Sequence, residues 1–251
     1  MREGPVGLKD LFSKEGRAKS ALAKNLGRAV NKHAQSFDRQ KALEALAAEG
    51  SDEALIGLMR RFDMTYDKSI EDENEKTYCY QALKAKGAAF IPALRQGMKE
   101  AQSYSWPLRL LEDVGSPSDL AAFVDDLVAR HPAGYERDPS RKIQFIQWIA
   151  EQDQLPSTQM ANHLVAYLDD VDEGVRFHTV AALKVHKDEN VAREPLLKRF
   201  VNPEEESLRL RLRILELFAD AGWAVTGYRP SVEARLPEQF LLDAKGLVKK
   251  R

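Results

Sequence analysis

The sequence predicts an all-α fold, namely a right-handed α-α superhelical solenoid of about six helix pairs, with a small C-terminal β-hairpin as an additional element. Short helical blocks rich in aliphatic residues recur along the chain, and a polar residue or a glycine follows each block. One apolar anchor residue per block recurs at intervals of 37, 28, 38, 34 and 35 residues. Intervals of this length are typical of a repeat built from two helices. The six anchors are Leu46, Leu83, Leu111, Ile149, Leu183 and Phe218.

Partner helices are predicted between the anchored ones, because capping residues and prolines mark their starts. Residues 208–213 alternate leucine with arginine, a pattern with the period of a strand. Arg209, Arg213 and Glu216 nevertheless fall on one stripe of a helix, so we predict a helix there. The predicted partner helices span residues 52–62, 88–101, 119–130, 158–168 and 191–201, and an N-terminal capping helix spans 17–34.

Three segments are predicted along the chain. Residues 1–16 are a basic N-terminal segment that we expect to be mobile. Residues 17–229 form the solenoid, including its capping helix. Residues 230–251 form a C-terminal cap or tail, in which 240–242 and 247–248 are the apolar strands of the hairpin.

Charged residues recur in step with the anchors. Seven residues before them stand Arg39, Lys76, Tyr104, Lys142, Arg176 and Arg211, of which five are basic. Six residues before the last three of these cations stand Glu136, Asp170 and Glu205. A cation at the start of one helix and an acid in the turn before it can bridge neighbouring repeats. We therefore expect a ladder of partly exposed ion pairs that fixes the register of the stack.

The segment 170–176, Asp-Val-Asp-Glu-Gly-Val-Arg, carries a family resemblance together with Ala182 and Leu183. It resembles the HEAT repeat, including the HEAT-like repeats of phycobilin lyases, in which an acid, a Val-Arg pair and an Ala-Leu pair recur at this spacing. Thr179 departs from the pattern, since the family usually has alanine there. The resemblance spans roughly residues 38–223. It implies an armadillo-like helical architecture and a protein-binding surface, and it implies little about activity.

Composition argues against several classes of function. The 38 basic and 39 acidic residues give a formal net charge of −1, without the basic excess expected of a protein that binds phosphate backbones. A single cysteine, Cys79, rules out a disulfide within the chain and fits a reducing compartment. There is neither an apolar run long enough to span a bilayer nor a secretory signal. We therefore expect a cytoplasmic protein.

No motif points to catalysis. The five histidines lack the spacing of a metal site, and the phosphate-binding glycine motifs and the GxSxG motif are absent. Cys79 occupies the small-residue position that Ala42 fills in the first repeat, which indicates a buried packing thiol. We expect no catalytic, metal or cofactor-binding residues, and no enzymatic activity.

Two connections are longer than the others and leave the predicted stack at the same edge. They span residues 63–74 and 131–138, and each offers a tyrosine beside charged groups, which is typical of interface anchors. Two other roles stay open, since the tyrosines can hold their loops against the helices and Glu136 can belong to the ladder. The predicted partner-binding residues are Tyr66, Asp67, Lys68, Tyr135, Glu136 and Arg137.

The function predicted first is a non-catalytic scaffold or adaptor that binds another protein on its concave groove and its long-loop edge. One alternative is a DNA-repair protein like the HEAT-like alkylpurine DNA glycosylases, for which the chain offers Trp106, Trp148, Trp223, Asp113 and many arginines. Another is a membrane-surface adaptor that docks through Leu8, Leu11 and Phe12 among basic residues. The likeness to phycobilin lyases implies a bilin ligand, although no pocket for it is marked in the sequence.

Overall fold

The computed structural model describes residues 14–251. Predictions about residues 1–13, including membrane docking through Leu8, Leu11 and Phe12, lie outside the described residues. The described chain is mostly helical, with thirteen α-helices and one two-stranded antiparallel sheet. It forms two compact units that divide between Ser116 and Pro117. None of the helices in 14–251 combines the length and the apolar character needed to cross a membrane.

The described part of the first unit, residues 14–116, contains six α-helices. The capping helix begins and ends earlier than predicted, and 3-10 turns follow the third helix (Arg60–Asp63) and precede the fifth (Gly87–Phe90). The helices are α1 (Lys14–Ala29), α2 (Ser36–Glu49), α3 (Asp52–Met59), α4 (Ser69–Lys84), α5 (Ile91–Gly97) and α6 (Ser105–Val114).

The first of the two long connections is shorter than predicted. Helix α4 begins at Ser69, so the second half of the predicted connection 63–74 is helical. Glu71 and Asp72 lie in its first turn, where a negative charge interacts favourably with the N-terminal end of the helix dipole. The acidic run that reads as a loop in the sequence therefore starts a helix.

The second unit contains seven α-helices and the hairpin. A 3-10 turn (Val165–Asp169) extends the third of its helices. The predicted helix over the Leu-Arg alternation is confirmed, since Ser207 caps it by accepting a hydrogen bond from the backbone N–H of Leu210. The elements are α7 (Pro117–Arg130), α8 (Ser140–Glu151), α9 (Ser157–Leu164), α10 (Glu173–Val185), α11 (Glu189–Val201), α12 (Leu208–Ala221), α13 (Arg229–Glu233), β1 (Phe240–Leu242) and β2 (Val248–Lys250).

The predicted C-terminal hairpin is confirmed. Strands β1 and β2 pair antiparallel, with Phe240 opposite Lys250 and Leu242 opposite Val248. Phe240 and Val248 are buried, and β2 contacts α12, so the hairpin covers the end of the second unit.

All six predicted anchors are buried. They lie one each on α2, α4 and α6 in the first unit and on α8, α10 and α12 in the second. Within each unit these helices contact one another in order, and the helices between them do the same, α3 with α5 and α9 with α11. Within each unit, these alternate helices therefore pack against one another.

The ladder of ion pairs is confirmed in the second unit. Lys142 on α8 binds Asp170 before α10, with Nζ and Oδ2 2.8 Å apart. Arg176 on α10 binds Glu205 before α12, with Nε and Oε2 2.8 Å apart. The expectation of partly exposed pairs was wrong, because Lys142, Asp170 and Glu205 are buried. Such pairs are costly to break, since removing one partner leaves the other charge buried and unpaired.

Candidate partner-binding groove

A groove of about 780 Å³ lies in the first unit and includes half of the predicted partner-binding residues. One wall is the connection from α1 to α2 together with the start of α2, residues 32–37, and the other is the connection into α4, residues 65–68. Tyr66, Asp67 and Lys68 all line it. Its volume is within the range of sites that hold small ligands or a few side chains of a peptide.

Beside the groove is a buried ionic network that joins α2, α4 and the turn after α3. Glu75 accepts from two arginines, with 2.9 Å to Nη2 of Arg39 and 2.8 Å to Nε of Arg61. Asp72 also binds two cations, with 2.7 Å to Nη2 of Arg61 and 2.6 Å to Nζ of Lys76. Burial alone would raise the pKa of Asp72, but hydrogen bonds from Lys76 and Arg61 outweigh it and hold the pKa below its ordinary value.

The network has one more cation than it has carboxylates, and it extends to the rim of the groove. Three cations, Arg39, Arg61 and Lys76, face two carboxylates within the network. The third carboxylate is Glu71, whose Oε2 lies 3.8 Å from Nη2 of Arg39 and which also lines the groove. The network therefore presents a carboxylate and part of Arg39 to the groove, and it holds both in place.

Tyr66 joins the network to the groove. Its ring lies 4.1 Å from the guanidinium carbon of Arg39 and 4.3 Å from that of Arg61, which are cation-π distances. Its hydroxyl is buried and has no hydrogen-bond partner within residues 14–251. Burial raises the pKa of Tyr66, against the opposing effect of the two arginines. Tyr66 thus holds its loop on the helices, which is one of the two roles left open at the sequence level, and it also lines the groove.

The rim of the groove carries an exposed aromatic ring and basic groups. Phe37 is 67% exposed, and Nζ of Lys41 lies 4.2 Å from its ring centre. Lys68 pairs with Glu71 at 3.2 Å, whereas Lys32 has no ion pair among the described residues. Phe37 and Lys32 line the same groove, so it offers an apolar ring and a cation that is unpaired in the described chain to a ligand that carries both an apolar and an acidic group.

The second predicted triplet lies in the second unit, on the loop between α7 and α8. Tyr135 is 81% exposed and Arg137 is also exposed, so neither holds the loop in place. Glu136 instead binds Nδ1 of His131 at 3.0 Å and lies 3.7 Å from Nζ of Lys142. Glu136 is thus part of the ion-pair cluster at Lys142, whereas Asp170 makes the ladder bond from α8 to the turn before α10.

Ion pairs and backbone contacts fasten this loop to the helices beside it. Lys142 donates to the carbonyl of Gly134 at 2.9 Å, and the N–H of Gly134 donates to Asp170 at 2.9 Å. Burial lowers the pKa of His131, an effect that its contact with Glu136 opposes. The loop is thus a fixed platform from which Tyr135 projects.

The residues named for a glycosylase are divided between the two units. Trp148 and Trp223 are buried in the second unit, whereas Trp106 and Asp113 lie on α6 in the first. Asp113 already accepts from the hydroxyl of Tyr80 and pairs with Lys84 at 3.0 Å. The hydrogen bond from Tyr80 is the main cause that holds the pKa of Asp113 below its ordinary value, and Lys84 adds to it.

Cys79 and the metal-ligating residue types are the remaining candidates for chemistry. Cys79 is buried, and desolvation raises the pKa of its thiol to about 12, so the thiolate needed for nucleophilic attack is scarce near neutral pH. Within residues 14–251, histidine, cysteine and acidic side chains form no group of three or more that could hold a metal ion.

Sequence reasoning did not find Phe37, Arg39 or Lys32 as groove residues. Arg39 was singled out only for the ladder, and the α1–α2 connection carries no turn motif or unusual length that marks it. The one usable signal was the spacing of Asp72, Glu75 and Lys76, which places three charges on one face of a helix.

Comparisons with protein-family models, with curated proteins and with solved structures found no match for this chain. Its function therefore has to be argued from its own residues, and the likeness to HEAT repeats stays a prediction.

Proposed function

We propose that this protein is a non-catalytic scaffold or adaptor that binds a segment of another protein in the groove beside Tyr66. The observation that carries the proposal is the groove itself, about 780 Å³ in volume, with Phe37 and Tyr66 as its aromatic residues. Aromatic side chains on fixed walls provide large contact areas with little loss of conformational freedom on binding.

The buried network supports this role because it sets the shape of the groove before a partner arrives. Arg39 and Tyr66 are held by bonds and ring contacts to residues of α2, α4 and the turn after α3. A preformed site avoids much of the entropy cost of ordering side chains on binding. The partner segment carries an apolar side chain for Phe37 and an acidic group for Lys32 in this proposal.

The finer architecture belongs to the same proposal. In it, the helix pairs of each unit are HEAT-like repeats stacked as a right-handed α-α superhelical solenoid. The support is the regular spacing of the buried anchors and the ordered contacts between alternate helices within each unit. The exposed Tyr135 and Arg137 on their fixed loop are the binding residues proposed for the second unit. The lone buried thiol of Cys79 fits a cytoplasmic location, which we include in the proposal.

The test is the selection of binding peptides from a random-peptide display library on the purified chain. We expect the selected peptides to lose affinity about tenfold for the Phe37→Ala variant, because the exposed ring is a principal contact in the groove. The matched control is Ile70→Ala, since Ile70 is 77% exposed but does not line the groove. Affinities are measured by fluorescence anisotropy, and circular dichroism checks that both variants keep their helicity.

The proposal fails if no peptide is selected, or if the selected peptides bind Phe37→Ala as tightly as the parent chain. Equal losses for Phe37→Ala and Ile70→Ala would also contradict it, because binding would then follow surface apolarity rather than the groove. Selective binding of duplex DNA would favour the DNA-repair alternative, with the surface around Trp106 and Arg109 as its starting point.

A further inference from the structure

Three helices of the second unit bring an aromatic ring, two arginines, a histidine and a glutamine together on one surface. Arg209 and Arg213 stand one turn apart on α12, so both point to the same side of the helix. Their guanidinium carbons lie 4.5 Å and 4.3 Å from the ring centre of Phe177 on α10. On the other side, Nε2 of Gln147 on α8 lies 3.2 Å from a ring nitrogen of His178.

The two arginines differ in their charge partners. Arg209 binds Glu173 through two hydrogen bonds, one of them 2.8 Å from Nε to Oε1. Arg213 has no carboxylate partner and no hydrogen bond within residues 14–251, although Glu216 follows it three residues later on α12. A guanidinium carries five N–H donors, and stacking on Phe177 uses none of them. All five N–H donors of Arg213 are therefore unused within the described residues, although its side chain is half-buried against an aromatic ring.

His178 lies beside the two arginines and adds no positive charge of its own near neutral pH. Its ring meets that of Phe177 edge to face, with centres 5.4 Å apart. Burial lowers the pKa of His178 first, and the positive charges of Arg213 and Arg209 lower it further, while Glu173 acts in the opposite direction. Near neutral pH the imidazole is therefore mainly uncharged, and the positive charge is concentrated on the arginines.

We propose that this surface, formed by Gln147, Phe177, His178, Arg209 and Arg213, is a second binding site that takes a carboxylate side chain from an acidic segment of a partner protein. The carboxylate accepts two parallel hydrogen bonds from Arg213, as the fork of a guanidinium allows. Phe177 then packs against the apolar stem of the same side chain.

An acidic protein segment fits the surface better than a nucleic acid does. Binding to a phosphate backbone relies on several cations along a track, whereas this surface has one cation without a partner and another that is neutralised by Glu173. The formal net charge of the chain is −1, so there is no general basic field to hold a polyanion. The local charges therefore leave one cation, Arg213, to bind one carboxylate.

The test uses a fluorescein-labelled hexaglutamate peptide as the probe, with anisotropy as the measure of affinity. We expect Arg213→Gln to weaken binding about tenfold, because a charge-assisted pair is lost. The matched control is Lys198→Gln, which removes the same charge from an exposed pair on α11. That control should change the affinity less than about twofold. Arg213→Lys is the second variant, since it keeps the charge but loses the fork, and it should bind less tightly than the parent chain.

A spectroscopic readout places the probe at this surface. Saturating hexaglutamate should raise the pKa of His178 in an NMR titration, because a carboxylate offsets the arginines that lower it. The Phe37→Ala variant should bind hexaglutamate like the parent chain, so failure of this site and failure of the groove can be told apart.

The proposal is overturned if hexaglutamate does not bind at low ionic strength, or if Arg213→Gln binds as tightly as the parent. Equal losses for Arg213→Gln and Lys198→Gln would overturn it as well, since attraction would then be non-specific. Tighter binding of a hexathymidylate oligonucleotide through the same residues would replace it with a nucleic-acid site.

Discussion

Tyr66 is the residue at which the buried ionic network meets the proposed binding groove. Its ring lies over Arg39 and Arg61, while its hydroxyl is buried without a partner in the described part of the chain. A buried polar group without a partner lowers the free energy of unfolding, whereas cation-π contacts between a ring and two guanidiniums raise it. The two ends of this side chain therefore act on stability in opposite directions.

Replacing Tyr66 in two ways separates these effects. We expect Tyr66→Phe to keep or raise the free energy of unfolding by up to about 1 kcal/mol, because it removes only the unsatisfied hydroxyl. Tyr66→Ala should lower it by about 2 kcal/mol or more, since the ring that covers the network is lost. Urea denaturation followed by circular dichroism measures both. A loss of stability in Tyr66→Phe equal to that in Tyr66→Ala would mean that the hydroxyl is bonded in solution.

The ladder of buried ion pairs acts at the scale of whole helices. Lys142 fixes α8 to the turn before α10 through Asp170, and the same two side chains hold the loop at Gly134. Breaking one pair therefore affects two helices and a loop together, unlike the loss of an exposed pair.

Lys142→Met tests this connection. It leaves Asp170 buried without its cation, so we expect the free energy of unfolding to fall by about 3–5 kcal/mol. The control Lys198→Met removes an exposed pair with Glu194 and should cost less than about 1 kcal/mol. Chemical denaturation monitored at 222 nm measures both variants. A loss for Lys142→Met no larger than that of the control would contradict the role of the ladder.

The order of the helices could be predicted because burial repeats along the sequence. The anchors recur with the spacing of a helix pair, and the apolar pattern alone places each of them inside.

The start of a helix was harder to predict where an ion pair to another part of the chain competes with the local capping signal. Asn202-Pro203 predicts a helix from residue 203, yet α12 begins at Leu208 because Glu205 is buried against Arg176 and Arg199.

The groove could not be predicted in the same way, since its residues come from separate connections. Arg60 and Arg61 are neighbours in the sequence, but Arg60 is exposed and Arg61 is fully buried between Asp72 and Glu75. Nothing local distinguishes a buried arginine from a solvated one, because its partners lie elsewhere along the chain. Tyr66, Asp67 and Lys68 were predicted because a tyrosine stands beside charged residues in the sequence. That signal depends on residue types and does not say where the residues lie in the fold.

At the scale of the whole molecule, the net charge is near zero, and many of the acidic and basic side chains form ion pairs with one another. Burial would raise the pKa values of Asp72 and Glu205, but hydrogen bonds from their cationic partners outweigh it and lower them. For Glu173, hydrogen bonds from Arg209 come first, and they lower the pKa to about 2. These carboxylates occur in both units, so acid should weaken the whole chain.

The sign of this effect follows from the lowered pKa values. A carboxyl group whose folded pKa is depressed stabilises the protein fully above its unfolded pKa, about 4 for Asp and Glu, and loses that contribution as the pH falls through the folded value. We therefore expect the free energy of unfolding to fall slightly below about pH 6.5, where the unfolded chain protonates His131 and His178 before the folded chain does, and to fall more steeply from about pH 5 towards about pH 2. Urea titrations at a series of pH values measure it. Glu173→Gln should flatten the lower part of this decline, whereas Glu53→Gln, at an exposed glutamate outside the ion pairs of the described chain, should follow the parent curve. Stability that is unchanged down to about pH 2 would mean that these carboxylates do not gain from their partners in the folded protein.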